Sequence, residues 1–355
     1  MAGDSMNEYD ITAAFEAIEK DLIASMIRNM DRHRAEEIKE GYEWSMWQAE
    51  QLKALEKYKL DNNKKYSKQF KSINAQMEGL IWQARQKGGL KQEEQILRAI
   101  KNGFKSYKPT SAAMQAEFFK LNTRKLETLV NAITHDMEKA ERAILRRAND
   151  QYRKAIFNAQ MYANSGAGTY EKAVDMATKD MLSRGLACVE YRNGTLHTLE
   201  DYADMAIRTA SKRAYLQGEG EKRQEWGIST VIVAKRGNPC PKCLPFVGKI
   251  LIDDVWSGGK STDGPYPLMS RAIARGLYHP RCKDSHTTYF PGVSTAKDTW
   301  TKDELKGIEQ KYKREQDQQY AKRQIEKYER LSTNSLDSEN KKEYAVKADK
   351  WKKQS

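Results

Sequence analysis

Proline is nearly missing from the first two thirds of this 355-residue chain. Pro109 stands alone before position 239, and the other seven of its eight prolines fall between 239 and 291. Proline interrupts helices, so its scarcity leaves room for long helices on both sides of one turn-rich segment. Cysteine is also sparse: there are four, three of them between 240 and 282. That excludes a disulfide framework and suits a reducing compartment. No window approaches the roughly 18 consecutive apolar residues of a membrane span, and the polar, acidic start MAGDSMNEYD has no signal-peptide core. A phosphate-binding loop is missing too, because the G-K-S at 259–261 is preceded by Asp254 where that loop needs glycine.

What is present is mostly charge and helical periodicity. Apolar residues make up 39% and charged residues 31%, a mix suited to exposed helices around a modest core. The net charge of +13 comes from basic residues interleaved with Glu and Asp, so it reads as solvated helix faces, with a DNA-facing surface as the alternative. Ile11, Phe15, Ile18, Leu22 and Met26, then Ile38, Tyr42, Met46, Ala49 and Leu52, predict one or two amphipathic helices over 8–60, with Trp44 and Trp47 as core or interface anchors. The basic stretch 57–71 reads as a solvated loop, although its Tyr58, Tyr66 and Phe70 would also suit base stacking. Gly88–Gly89 and Asn102–Gly103 punctuate the pattern, and Pro109 ends it.

Leu126, Val130, Ile133, Met137, Ala140 and Ile144 recur at alternating steps of four and three, a coiled-coil-like seam predicted to be an interface with a helix of this chain or a neighbour. His135, beside the seam, reads as a surface residue. NSGAG at 164–168 breaks that helix. Shorter helices follow over 169–226, with a turn at 192–194 and a cap at Thr198 reaching Asp201. Arg208 is better explained by an ion pair with Asp204 than by catalysis. After 292 a charged helical tail, broken at 333–340, reads as a docking arm that orders on meeting a partner. The expected fold is α+β and predominantly helical. Its segments are an N-terminal helical arm (1–110), a long helix (111–165), a small Cys/His-clustered α+β domain (166–296) and the tail (297–355).

The chemistry concentrates in that third segment. TVIVA at 230–234 predicts a strand leading into C-P-K-C at 240–243, FVGKILI at 246–252 a hairpin turned at Gly248–Lys249, and HPRCKDSH at 279–286 a second donor cluster. Two thiols on one tight turn, closed by donors from a second turn, match a structural zinc site. Cys240 and Cys243 form the firm pair, joined by Cys282 and one of His279, Asp284 or His286. His286 is favoured as the fourth ligand, and His279 is its rival. Such a filled set leaves no open position, so the ion would be structural. A redox pair would need a thioredoxin-type strand–helix frame, which is missing here, and unligated thiols are the remaining alternative. Cys188, on an apolar stretch, reads as a buried thiol.

CPKC, the Gly248–Lys249 turn and LYHPRCKDSHTTYFPG at 277–292, preceded by DYADMAIRTA at 201–210, a glycine-containing helix end and GISTVIVAKRG at 227–237, resemble the phage minor capsid protein 2 family. That family is related to the Mu F-like head morphogenesis proteins of tailed bacteriophages. The resemblance covers roughly 170–295. It implies a structural, non-enzymatic minor capsid protein of head morphogenesis, assembled in the host cytoplasm and held in the virion, inside the capsid near the portal. Portal protein and other capsid or scaffolding proteins are the implied partners, with packaged DNA a further candidate and no membrane. Relatives often carry a ligand two residues after the last cysteine, where this chain has Asp284, so His286 would have to replace it. Two other classes are weighed against this reading. A zinc-containing nuclease of the His-Asn-His kind needs a second Cys-x-x-Cys and a separate histidine pair, and here only His279 and His286 are on hand. A DNA-binding module would rest on charge alone.

Overall fold

The computed structural model of the chain describes residues 7–40, 44–105, 112–165, 169–191, 193–235, 239–296 and 300–354, leaving out the side chains of 33–45, 106–121 and 163–164. The boundaries expected at 110/111, 165/166 and 296/297, Pro109, most of NSGAG, part of the 192–194 turn, and the side chains of Ile38, Tyr42 and Trp44 lie outside or at the edge of the described residues. Three long helices, α1 (Glu8–Glu40), α2 (Trp44–Lys101) and α3 (Ala112–Asn164), come first. Then follow α4 (Tyr170–Arg184), the two-residue strands β1 (Val189–Glu190) and β2 (Leu196–His197), and α5 (Leu199–Glu225). Strands β3 (Thr230–Val233), β4 (Ile250–Ile252) and β5 (His286–Thr288), with the short helix α6 (Met269–Ala274), precede α7 (Lys302–Asn334) and α8 (Ser338–Lys352). The fold is predominantly helical α+β. It forms two compact units: one from 9–74, 136–203 and 315–355, the other from 1–8, 75–135 and 204–314.

The first unit is helical. The α1 stripe Ile11, Phe15, Ile18, Leu22 and Met26 is buried as its spacing predicts. The stretch 57–71 is not a loop but the middle of α2. Tyr58, Tyr66 and Phe70 repeat every four residues or multiples of four, which puts them on one face, and all three are buried. Phe70 stacks on Phe15 at 6.2 Å. The Tyr58 hydroxyl donates to the Leu22 carbonyl (2.9 Å), its ring meets Tyr152 edge-on, and Asp21 accepts from Tyr66 and Lys65. These aromatics are core, so they offer nothing for bases to stack on. Trp47 is likewise buried.

Along α3 the chain's own fold buries Leu126, Val130, Met137, Ala140 and Ile144, while Ile133 is only half-buried and His135 is exposed. Thr198 caps α5 by accepting from the Asp201 amide. Burial pushes the Cys188 thiol up to about 12, which leaves it unreactive. The tail is docked rather than free. Helices α7 and α8 fold back on each other, pairing Tyr328 with Tyr344 and Tyr320 with Trp351. The Asp175 carboxylate of α4 holds the turn between them by accepting from the amides of Leu336 and Asp337 and from the Asn340 side chain.

In the second unit α2 and α5 touch backbone to backbone. A Cβ on Gly88 would lie 2.1 Å from the Tyr215 carbonyl oxygen, and one on Gly218 would lie 1.9 Å from that of Arg85. Neither glycine breaks its helix, contrary to the punctuation read at Gly88–Gly89 and the helix end read on α5. They are there for close approach. Gly88→Ala is therefore expected to cost about 3 kcal/mol by overpacking. Gly79, on the same helix with nothing within 4 Å of its Cβ position, should gain up to about 1 kcal/mol from the same change. Urea midpoints of the two variants moving in opposite directions would check this.

The sheet runs in the order β4–β3–β5, antiparallel throughout, with Val231 opposite Leu251 and Thr288. Residues 246–252 do not form a hairpin of their own. β4 pairs with β3, and the C-P-K-C turn and a 3-10 turn at Leu244–Phe246 lie between the paired strands. Val231, Val233, Val247, Leu251, Met269, Leu277 and Tyr278 form the core beneath, with Cys243 inside it.

Candidate metal centre

Two short turns bring the donors together. In the first, the Cys243 and Leu244 amides donate to the Cys240 carbonyl at 3.0 and 2.9 Å; in the second, the Cys282 amide donates to the His279 carbonyl at 2.9 Å. Each turn therefore presents residues i and i+3 side by side. Cys240 Sγ lies 3.0 Å from His279 Nε2, and Cys243 Sγ lies 3.3 Å from Cys282 Sγ. Cys240, Cys243 and His279 form one group of donors within 4.8 Å of one another, and Cys243, Cys282 and Asp284 form a second that shares Cys243.

The donor set suits zinc. With ordinary bond lengths, a tetrahedral ion sets neighbouring donors about 3.5–3.8 Å apart. Cys240 and His279 would move apart by a few tenths of an ångström to seat it, and Cys282, which does not lie within 4.8 Å of both of them, would swing inward to complete the set. His279 Nδ1 is 2.8 Å from the Pro280 carbonyl, an acceptor, so the ring proton sits on Nδ1 and the Nε2 lone pair faces the thiols. The Cys282 thiol is held below the ordinary range by the hydrogen bond from Cys243 and by the amides of Asp284 and Tyr278. Its partner Cys243 is pushed up by the same shared bond and by burial. Asp284 is fully buried with an oxygen 3.8 Å from Cys282 Sγ, beside the sulfur rather than completing the two turns.

The second turn is strained. Tyr278 and Arg281, flanking His279–Pro280, both have left-handed backbone, with φ of 55° and 62°. For non-glycine residues this costs about 1–2 kcal/mol each and persists only where the surroundings hold it. Thr209 Oγ1 accepts from the Arg281 amide, and Asp204, which also pairs with Arg208, meets the Arg281 side chain at 3.4 Å. The Arg208–Asp204 ion pair expected from the i, i+4 spacing is therefore part of the scaffold that holds this turn.

His286 is placed elsewhere, which corrects the favoured ligand. The chain leaves the turn at Cys282 and enters β5, whose alternation turns His286 and Thr288 inward. There His286 Nε2 lies 3.0 Å from Arg223 Nη2 and Nδ1 lies 2.8 Å from the Tyr278 hydroxyl. Guanidinium only donates, so Nε2 accepts and Nδ1–H donates to Tyr278. Both ring nitrogens are spent, and the rival His279 takes the place among the thiols. Burial, followed by the Arg223 charge, drops the His286 imidazole to about 3, so it is neutral at physiological pH.

Around it lies a buried polar cluster that sequence reasoning missed. Arg223, fully buried on α5, donates to Asp253 (2.9 Å), Ser257 (2.9 Å) and Gln92 (3.2 Å). Asp253 also accepts from the amides of Val255 and Trp256, which fixes the turn that follows β4. Burial alone would raise the Asp253 carboxyl, but Arg223, His286, Ser257 and the Trp256 amide outweigh it and hold it low. Tyr278 joins the two regions: its hydroxyl bonds His286 while its amide faces the sulfurs.

No helix among the described residues is long and apolar enough to cross a membrane. No curated protein and no solved structure matches the chain. A family model described as phage minor capsid protein 2 matches residues 6–355, nearly the whole length, so the chain belongs to the phage minor capsid protein 2 family, and with it to the structural proteins of the phage head.

Proposed function

We propose that the chain is a portal-proximal component inside the head, in which one zinc ion, held by Cys240, Cys243, His279 and Cys282, clasps the sheet-bearing unit. The convergence of two i, i+3 turns carries this reading. Cys240, Cys243 and the His279 lone pair lie together, and Cys282 stands 3.3 Å from Cys243 on the adjoining turn, next to backbone whose strain calls for an added tie. An ion with four protein ligands stabilises and does not turn over substrate. The nuclease reading gains no support, because His286 is sealed in the core and His279 faces the thiols. Long helices with charged outer faces, α2 and α3, supply docking surface. Cross-linking mass spectrometry on particles carrying the tagged chain tests the placement. Cross-links concentrated on the portal protein are expected; links spread evenly over the major shell protein would overturn it.

A further inference from the structure

The outer face of α2 carries a line of four lysines without ion pairs. At about 100° per residue, the buried Leu55, Tyr58, Asn62, Tyr66, Phe70 and Ile73 mark one side of this helix, and Lys57, Lys64, Lys68 and Lys71 mark the opposite side. All four lysines are exposed. Neighbouring lysines find acids: Lys53 pairs with Glu50 at 2.6 Å, Lys59 with Glu56 at 3.9 Å, and Lys65 with Asp21. Among the described residues, none of the four outward lysines has a carboxylate within ion-pair distance. Asp61, the one acid between 57 and 71, lies on the same face, four residues after Lys57 and three before Lys64, but is beyond ion-pair distance of all four. Like charges at i, i+4 (Lys64, Lys68) and i, i+3 (Lys68, Lys71) destabilise a helix by about 0.2–0.5 kcal/mol each. An external anion would relieve that cost.

We infer that this face is a track for the phosphate backbone of double-stranded nucleic acid, independent of where in the head the chain sits. The four lysines span about 21 Å of straight helix, along which one strand of a duplex presents about six phosphates. Single strands are disfavoured because Tyr58, Tyr66 and Phe70 are buried and cannot stack on bases. An anionic membrane would need an apolar wedge, and only Leu60 stands exposed beside the line. A protein partner would need a desolvated aromatic or arginine anchor, and this face has neither. Lysine ammonium groups act as point charges without base readout, so binding is independent of sequence.

The test uses the full chain and a random-sequence 30-base-pair duplex, with anisotropy read between about 50 and 200 mM salt. The wild type is expected to bind with a steep salt slope. Changing Lys57, Lys64, Lys68 and Lys71 together to Gln should flatten the slope of log K against log salt by about 3–4 and weaken binding more than tenfold at low salt. The matching Lys→Arg set should keep the slope. A control that removes the same charge from α7 (Lys306, Lys311, Lys313 and Arg314 to Gln) should change it by less than about 1. Circular dichroism, which should be the same for all variants, separates lost contacts from lost fold. No binding at low salt, an equal loss in the control, or four-lysine-dependent binding of polyglutamate or anionic vesicles in place of the duplex would each overturn the inference.

Discussion

Replacing His279 with alanine is expected to strip zinc from the chain, whereas His286→Gln is expected to leave one ion per chain in place. The two histidines are seven residues apart and equally available by composition, but only one has a lone pair to give. His279 Nε2 faces Cys240 at 3.0 Å with its proton held on the far nitrogen by Pro280, while both His286 nitrogens are engaged with Arg223 and Tyr278. Structural zinc contributes roughly 10–16 kcal/mol in small domains. A quarter of that is about 2.5–4 kcal/mol, or roughly 10²–10³-fold in affinity, so His279→Ala should release its ion to a chelator that the wild type resists. The melting transition of the sheet-bearing unit should fall with it, because ligation and folding are linked. Metal content by mass spectrometry after a chelator challenge is the measurement. Zinc kept by His279→Ala and lost by His286→Gln would reverse the ligand set, and a metal-free wild type would remove the clasp.

That contrast shows how far the sequence could be read. C-P-K-C and the thiol near 282 announce themselves because two local turns are written in Pro, Cys and short spacing, and a turn is decided by its own few residues. Which histidine faces the thiols was not legible. Four residues after Cys282 is one turn if the chain is helical, but about 13 Å if it is extended, and a three-residue strand is too short to show the alternation that turns His286 inward. The α3 stripe was readable because about five turns of helix, from Leu126 to Ile144, repeat the same signal at 3.6 residues per turn. The 57–71 stretch was misread for the opposite reason: six lysines in fifteen residues look like a loop, and the four-residue spacing of its buried aromatics is diluted among them. The tail was misread because no local feature reveals a fold-back. Asp175, more than 150 residues upstream, holds its turn.

Arg223→Met is expected to be among the most destabilising single changes in the second unit, costing about 3–5 kcal/mol. The guanidinium and the Asp253 carboxylate are both fully buried and 2.9 Å apart. Removing the cation leaves an anion in the core with only the Ser257 hydroxyl and two amides to hold it. Part of the loss should return in Arg223→Met/Asp253→Leu, where neither charge remains; a double variant as unstable as the sum of the singles would deny the coupling. The same cluster dictates the acid limb of stability. Folding lowers the His286 pKa from the ordinary 6.5 to about 3, so between those values the unfolded chain binds a proton that the folded chain refuses. Stability therefore falls as pH drops through that window, at about 1.36 kcal/mol per unit, or about 3 kcal/mol between neutrality and pH 4. Asp253, whose pKa is depressed, acts in the same direction at lower pH: its contribution is present above the ordinary carboxylate range and is lost as pH falls through its folded value. His286→Gln can still accept from Arg223 and donate to Tyr278 without titrating, so its urea midpoint should lose most of the dependence between pH 6.5 and 4. An unchanged slope in that variant would mean that the acid sensitivity arises outside this cluster.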